Sequence, residues 1–235
     1  MRRINTQQTT PAKAALALLI FAIIGLSQGC TTRPSTDQTG FVSLFDGKTL
    51  DGWRTVGGNA TFRVEDGDIV GTSGKGGPNT FLRTVRDDYR DFEFRCEFKW
   101  DIPGNSGIQF RSGHKPPKPK QKQGTVFGYQ YEMDHSERAW SAGVHEESRR
   151  GWMVPLKGDE NAAKRKAVKL DDWNDAVIRC QGSHIQTWLN GMLIADLTDD
   201  AEEALPAGFF GLQIHWGELS QVRWRNLRIK ELNTD

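Results

Sequence analysis

Cysteine is scarce: the 235 residues hold only Cys30, Cys96 and Cys180. Cys96 falls on the apolar face of a strand, which argues against a thiol nucleophile. No apolar run reaches the roughly 18 residues that a membrane-spanning helix needs. An excess of one charge is also missing, with 31 Lys and Arg against 30 Asp and Glu and a net charge of +1. The cations form no stripe that could track phosphates, so nucleic acid is excluded as a partner. The chain has no Gly-x-Ser-x-Gly elbow for a serine nucleophile. Gly74-Lys75-Gly76-Gly77-Pro78 is rich in glycine but lacks the phosphate-loop pattern and reads as a turn. What is present, 37% hydrophobic and 26% charged residues, suits one globular domain with a sizeable core. The 25 glycines and 8 tryptophans fit many short strands and flat aromatic surfaces for a carbohydrate.

The first 29 residues read as a processing signal. Arg2, Arg3 and Lys13 precede the apolar run Ala14 to Leu26, and Ser27-Gln28-Gly29-Cys30 follows as a small-residue cleavage site. Gly29 before Cys30 looks like a bacterial lipoprotein signal, with Cys30 becoming the lipid-bearing first residue and the membrane partner. Ser27 and Gln28 depart from that pattern, and an ordinary secretory signal cut nearby is the alternative. Either reading exports the protein to the cell envelope, periplasm or outer membrane. The mature chain then carries 28 Lys and Arg against 30 Asp and Glu. Residues 30–40 form a polar tether, and 41–235 form the folded domain. Cys96 and Cys180 remain, and their spacing leaves both a bridge and two buried thiols open.

From Phe41 onward the chain reads as strands and turns. In Asp91 to Trp100, Phe92, Phe94, Cys96, Phe98 and Trp100 alternate with Glu93, Arg95, Glu97 and Lys99, which gives one core face and one wet face. Further strands are expected at 61–64, 68–72, 107–111, 129–133, 174–180, 184–189, 192–196, 208–215 and 222–230. Asn190-Gly191 supplies a two-residue hairpin turn. This spacing predicts an all-β sandwich or barrel. The Lys- and Pro-rich stretch 112–124 is expected to be an exposed loop, either solvated or a grip for anions. Ala162 to Lys166 predicts a short surface helix.

Three of these strands carry polar side chains at alternate positions opposite an apolar face: Gln109 and Arg111; Gln130, Glu132 and Asp134; Gln213 and His215. A dry core does not tolerate such groups unpaired, whereas a wet sheet face of amide, carboxylate, guanidinium and imidazole suits a sugar. The stretch 136–153 is expected to be a long loop forming one wall of that cleft. In it, Trp140 and Trp152 serve either as sugar-stacking faces or as anchors, and Arg149 and Arg150 are candidate donors to hydroxyls. Asp134-His135 with His145-Glu146 also admits a metal site, although the spacing matches no standard motif.

Seven landmarks stand in order along 41–232: Phe41-Val42-Ser43-Leu44-Phe45-Asp46-Gly47 through Gly52-Trp53, Asn105-Ser106-Gly107-Ile108, Gly128 to Asp134, Asp172-Trp173-Asn174, Trp188-Leu189-Asn190-Gly191, Gly211 to His215 and Arg225 to Ile229. They carry a resemblance to the 3-keto-disaccharide hydrolase family. It implies a concanavalin-like β-sandwich of two antiparallel sheets and a saccharide substrate. It also implies chemistry without a redox cofactor: a 3-ketone acidifies the C2 proton, a base removes it, the C1 oxygen is expelled and water adds. Glu132 is expected as base, Arg111 and Gln109 as donors to the enolate oxygen, and His215 or Glu146 as proton donor. A separate sugar oxidoreductase has to supply the ketone. The rival readings are a Glu132–Arg111 structural ion pair, a non-catalytic carbohydrate-binding lipoprotein, and a conventional endo-glycanase of the same fold.

Overall fold

The computed structural model describes residues 39–217 and 219–233, so the signal segment, Cys30 and most of the tether lie outside the described residues. Its strands form two antiparallel sheets. One has the order β13 (Met192–Thr198), β12 (His184–Leu189), β11 (Asn174–Gln181), β6 (Phe92–Ile102), β15 (Gln221–Glu231), β4 (Asp68–Thr72), β3 (Thr61–Glu65), with β1 (Val42–Ser43) also paired to β15. The other has the order β10 (Gly151–Val154), β9 (Val144–Glu147), β8 (Thr125–Asp134), β7 (Asn105–Lys115), β14 (Phe209–Ile214), β5 (Thr80–Thr84), β2 (Trp53–Gly57). A single turn of helix, α1 (Ala162–Arg165), follows a 3₁₀ turn at Asp159–Asn161, where alanine and lysine favour it.

Alternation drives the packing. The apolar face of β6 meets the facing residues of β14: Phe94 stacks on Phe210 at 4.6 Å and Phe92 meets the same ring edge-on at 4.7 Å. Ile108, Phe110, Tyr129, Tyr131, Met133, Leu212 and Ile214 complete that core layer. Each buried aromatic or aliphatic side chain stabilises the sandwich by about 1.5–3 kcal/mol. Every second residue of β8 and β14 therefore points away from the core, to the face where the polar residues stand.

Both remaining cysteines are buried free thiols. Cys96 lies opposite Ala176 and Cys180 opposite Phe92. At about 3.3 Å per residue this four-residue offset separates them by about 13 Å, beyond disulfide reach.

Two segments differ from the sequence reading. Strand β7 continues to Lys115, into the expected loop, and 144–154 is a hairpin of β9 and β10 instead of irregular chain. Periodicity missed the hairpin because Glu146, a carboxylate, occupies an inward position beside Val144 and opposite Tyr129.

Candidate functional site

Strand register assembles the site. Gln109 lies opposite Gln130, Gly107 opposite Glu132 and Gln213, and His145 opposite Gln130. Gly107 makes room between them: a Cβ there would lie 2.6 Å from the Gln130 side chain. These positions floor a cleft of about 580 Å³ whose walls include Asn105, Arg138, Glu147 and Trp152, within the size range of small-molecule sites.

The amides are ordered in one direction. Gln130 Oε1 accepts from Gln109 Nε2 at 2.5 Å and Gln213 Nε2 at 2.9 Å, which turns Gln130 Nε2 toward Glu132 Oε2 at 2.9 Å. Asn105 Nδ2 donates to Glu132 Oε1 at 2.6 Å and Arg138 Nη2 donates to the same oxygen at 2.7 Å. The backbone of Glu132 is clamped as well, with its N–H on the Gly143 carbonyl and its carbonyl accepting from Ala142 N–H. Glu132 is 3% exposed. Burial raises its pKa, opposed by the bonds from Asn105 and Gln130 and by the Arg138 charge. Oε2 keeps a lone pair for a substrate proton. Gln213 Oε1 and His145 Nδ1, both buried at this cleft, have no protein partner, so each offers a bond to a ligand.

Asp134 closes the other end of the cleft. It accepts from Ser136, from Arg138 Nε at 2.7 Å and from the Trp140 N–H. Arg138 thus spans both carboxylates, with its guanidinium 4.9 Å from the Trp140 ring and 5.0 Å from Trp152. Histidines 145 and 215 are both pushed toward the neutral form, chiefly by burial. His215 Nδ1 lies 2.7 Å from the Trp216 carbonyl. The carbonyl accepts, so Nδ1 carries the proton and Nε2 presents a lone pair.

Six of the residues singled out from sequence meet at this cleft: Gln130, Glu132, Asp134, Trp152, Gln213 and His215. Gln109 lies beneath them and orients Gln130. Arg111 does not join them. At φ 43° it sits in a register shift of β7, and its guanidinium crosses to the other sheet. There it donates to Arg90 O and Gly182 O, each at 2.8 Å, and pairs with Asp91 at 3.1 Å. Alternation fails at a bulge, so Arg111 is a structural bridge and no donor to this cleft. Glu146 is fully buried on the inward face and pairs with Arg149 and Arg150. Arg150 in turn holds Asp199, which accepts from the Tyr129 hydroxyl. Glu146, Arg149 and Arg150 therefore tie the hairpin to the segment around Asp199 and Glu203 instead of facing a sugar. Trp140 packs edge-on behind Trp152 at 4.7 Å.

The sequence reading assigned no role to Asn105, Arg138 or Glu147, and considered His145 only as a metal ligand. The alternation of β9 carries a signal for His145 and Glu147, which share the face opposite Val144 and Glu146. Arg138 stands in irregular chain and has none. Among the described residues no group of three or more His, Cys, Asp and Glu side chains is disposed to hold a metal ion. The combination of a clamped carboxylate, neutral imidazoles and oriented donors can move a proton and steady a developing oxyanion.

A curated relative from Bacteroides thetaiotaomicron named 3-keto-disaccharide hydrolase is 32% identical over 95 residues, which is 36% of this chain and 31% of that protein. This chain thus matches about a third of the relative's length. A solved structure of a provisionally named glycosyl hydrolase from Parabacteroides distasonis aligns over 83% of this chain and 95% of its own, with 23% identity and a TM-score of 0.54. A Bacillus subtilis protein of unknown function with a galectin-like fold aligns over 79% and 92%, with 12% identity and a TM-score of 0.57. Both solved structures share the sandwich fold. The family model of the 3-keto-alpha-glucoside-1,2-lyase-like domain matches residues 40–230, nearly the whole folded part, and the chain belongs to that family.

Proposed function

We propose that this protein cleaves the glycosidic bond of 3-keto-glycosides by elimination and hydration. Glu132 takes the C2 proton, the electrons close to the C3 enolate, the C1–O bond breaks to leave an enone, and water adds at C1. Glu132 then returns its proton to C2. The observation that carries this reading is Glu132 itself: a buried carboxylate at the floor of a sugar-sized cleft, fixed by Gln130, Asn105 and Arg138. Burial strengthens it as a base. Arg138 takes over the oxyanion role expected of Arg111, because Nε and Nη2 are used on carboxylates and Nη1 is left for the enolate oxygen. His215 Nε2 and Gln213 Oε1 accept from sugar hydroxyls, and Trp152 supplies an apolar wall.

The ketone is made elsewhere, by an oxidoreductase acting at C3. Export and lipid anchoring at Cys30 complete the proposal, motivated by the basic, apolar and small-residue order of residues 1–30. Loss of membrane association and of labelled-palmitate incorporation in Cys30→Ala checks that part. For the chemistry, the purified protein is expected to release reducing sugar from a 3-keto-disaccharide and leave the unoxidised disaccharide intact. Glu132→Gln, with its melting temperature measured alongside, is expected to lose about 10³-fold or more, within the range for general-base catalysis. Full activity in a folded Glu132→Gln removes the base. Tight binding without product shifts the reading to carbohydrate capture.

A further inference from the structure

The cleft does not end at β9. A second cavity of about 400 Å³ adjoins it, and the two share one lining residue, Glu147. Their characters differ. The first is lined by carboxylates, amides and imidazoles, whereas the second has Pro78, Phe81, Val126 and Trp216 on its walls. Trp216 is 61% exposed, a large apolar surface left open beside a polar cleft. Its backbone N–H donates to Asn79 Oδ1 at 3.1 Å. The Asn79 side chain also bonds the Glu147 carboxyl, so one amide links the ring's backbone to that acid. Glu147 follows His145 on β9 with the same facing, and besides Asn79 it has a long bond from Ser148 Oγ at 3.4 Å. No cation pairs with it among the described residues, unlike Glu132 and Asp134.

We propose that the keto-sugar lies in the first cavity and its leaving group in the second, with the Glu147 carboxyl at the junction giving its proton to the departing glycosidic oxygen. This rests on the elimination chemistry above and names the substrate class within it: 3-keto-glycosides whose leaving group is apolar or aromatic enough to stack on Trp216. The balance closes. Glu132 receives the C2 proton, the C1–O bond pair goes to the leaving oxygen, and that oxygen takes the Glu147 proton. The water that adds to C1 restores the proton to Glu147. Burial pushes the Glu147 carboxyl up, the direction that suits a proton donor.

The test uses leaving groups that differ in their need for a proton. Methyl and 4-nitrophenyl 3-keto-glucosides, in both anomers, are given to the full-length wild type, Glu147→Gln and Trp216→Ala. A nitrophenolate leaves unaided and a methoxide does not, so the loss in Glu147→Gln is expected to be about 100-fold greater for the methyl compound. Glu132→Gln is expected to lose both equally, since proton abstraction precedes both. Trp216→Ala is expected to weaken calorimetric binding of the nitrophenyl compound about 10-fold and to leave the methyl compound unchanged. Equal losses on both substrates in Glu147→Gln, or unaltered nitrophenyl binding in Trp216→Ala, overturn the proposal. A wild type that binds both compounds and cleaves neither refutes the elimination reading instead, and the Trp216→Ala comparison still decides where the leaving group lies.

Discussion

Gln130→Glu is the sharpest perturbation of the site, because it keeps every bond of residue 130 except one. The new carboxylate still accepts from Gln109 and Gln213, whose donors stand at 2.5 and 2.9 Å. What changes is the oxygen placed 2.9 Å from Glu132 Oε2, where an amide now donates. Two unit charges at that distance repel by about 6 kcal/mol at an effective dielectric constant of 20, equivalent to about 4 pKa units. Rotamer relaxation lowers this figure but does not remove it. The pair therefore holds one shared proton across neutral pH and titrates as a unit. The acid limb of kcat/KM on a 3-keto-glucoside is expected to move up by at least one pH unit, with turnover at pH 7 down about 10-fold or more. The melting temperature is expected to stay within a few degrees, since no buried donor loses its partner. Carbon-detected NMR of labelled carboxylates provides the matching titration. An acid limb at its wild-type position would refute both the role of Glu132 and the oriented amide chain.

Arg111 is expected to matter for stability and not for chemistry: Arg111→Leu leaves Asp91 buried and unpaired, costing about 3–5 kcal/mol in urea unfolding with kcat/KM per folded molecule unchanged. Gly107→Ala is expected to displace Gln130, lowering kcat/KM more than it lowers stability; wild-type kinetics would show that the close approach is dispensable. Asp199 is held down to about 2, from 3.8, by hydrogen bonds from Arg150 and Tyr129. A depressed carboxylate stabilises the fold above its ordinary pKa, so about 2 kcal/mol present above pH 4 disappears as pH falls through 2. Unfolding of wild type and Asp199→Asn over that range is expected to converge, and a constant difference would contradict the assignment.

Strand alternation in the chain alone determined an all-β fold, sandwich or barrel, the core face of β6, and the shared facing of Gln130, Glu132 and Asp134, because a two-residue period is a local property of extended backbone; the choice of sandwich came from the family resemblance. Only the tertiary structure decided the rest. Register, set by packing across the whole sheet, put Gly107 opposite Glu132 and stacked three glutamines into one directed chain. The bulge at Arg111 reversed its facing, which no count along the sequence can detect when the residue at the bulge is not glycine. Glu146 occupies an inward position because Arg149 and Arg150 neutralise it, and that hid a hairpin from a hydrophobic pattern. Arg138 and Glu147 entered the site from segments distant from one another in facing and regularity. Their partners are set by distance in space, and spacing along the chain carries no such distances.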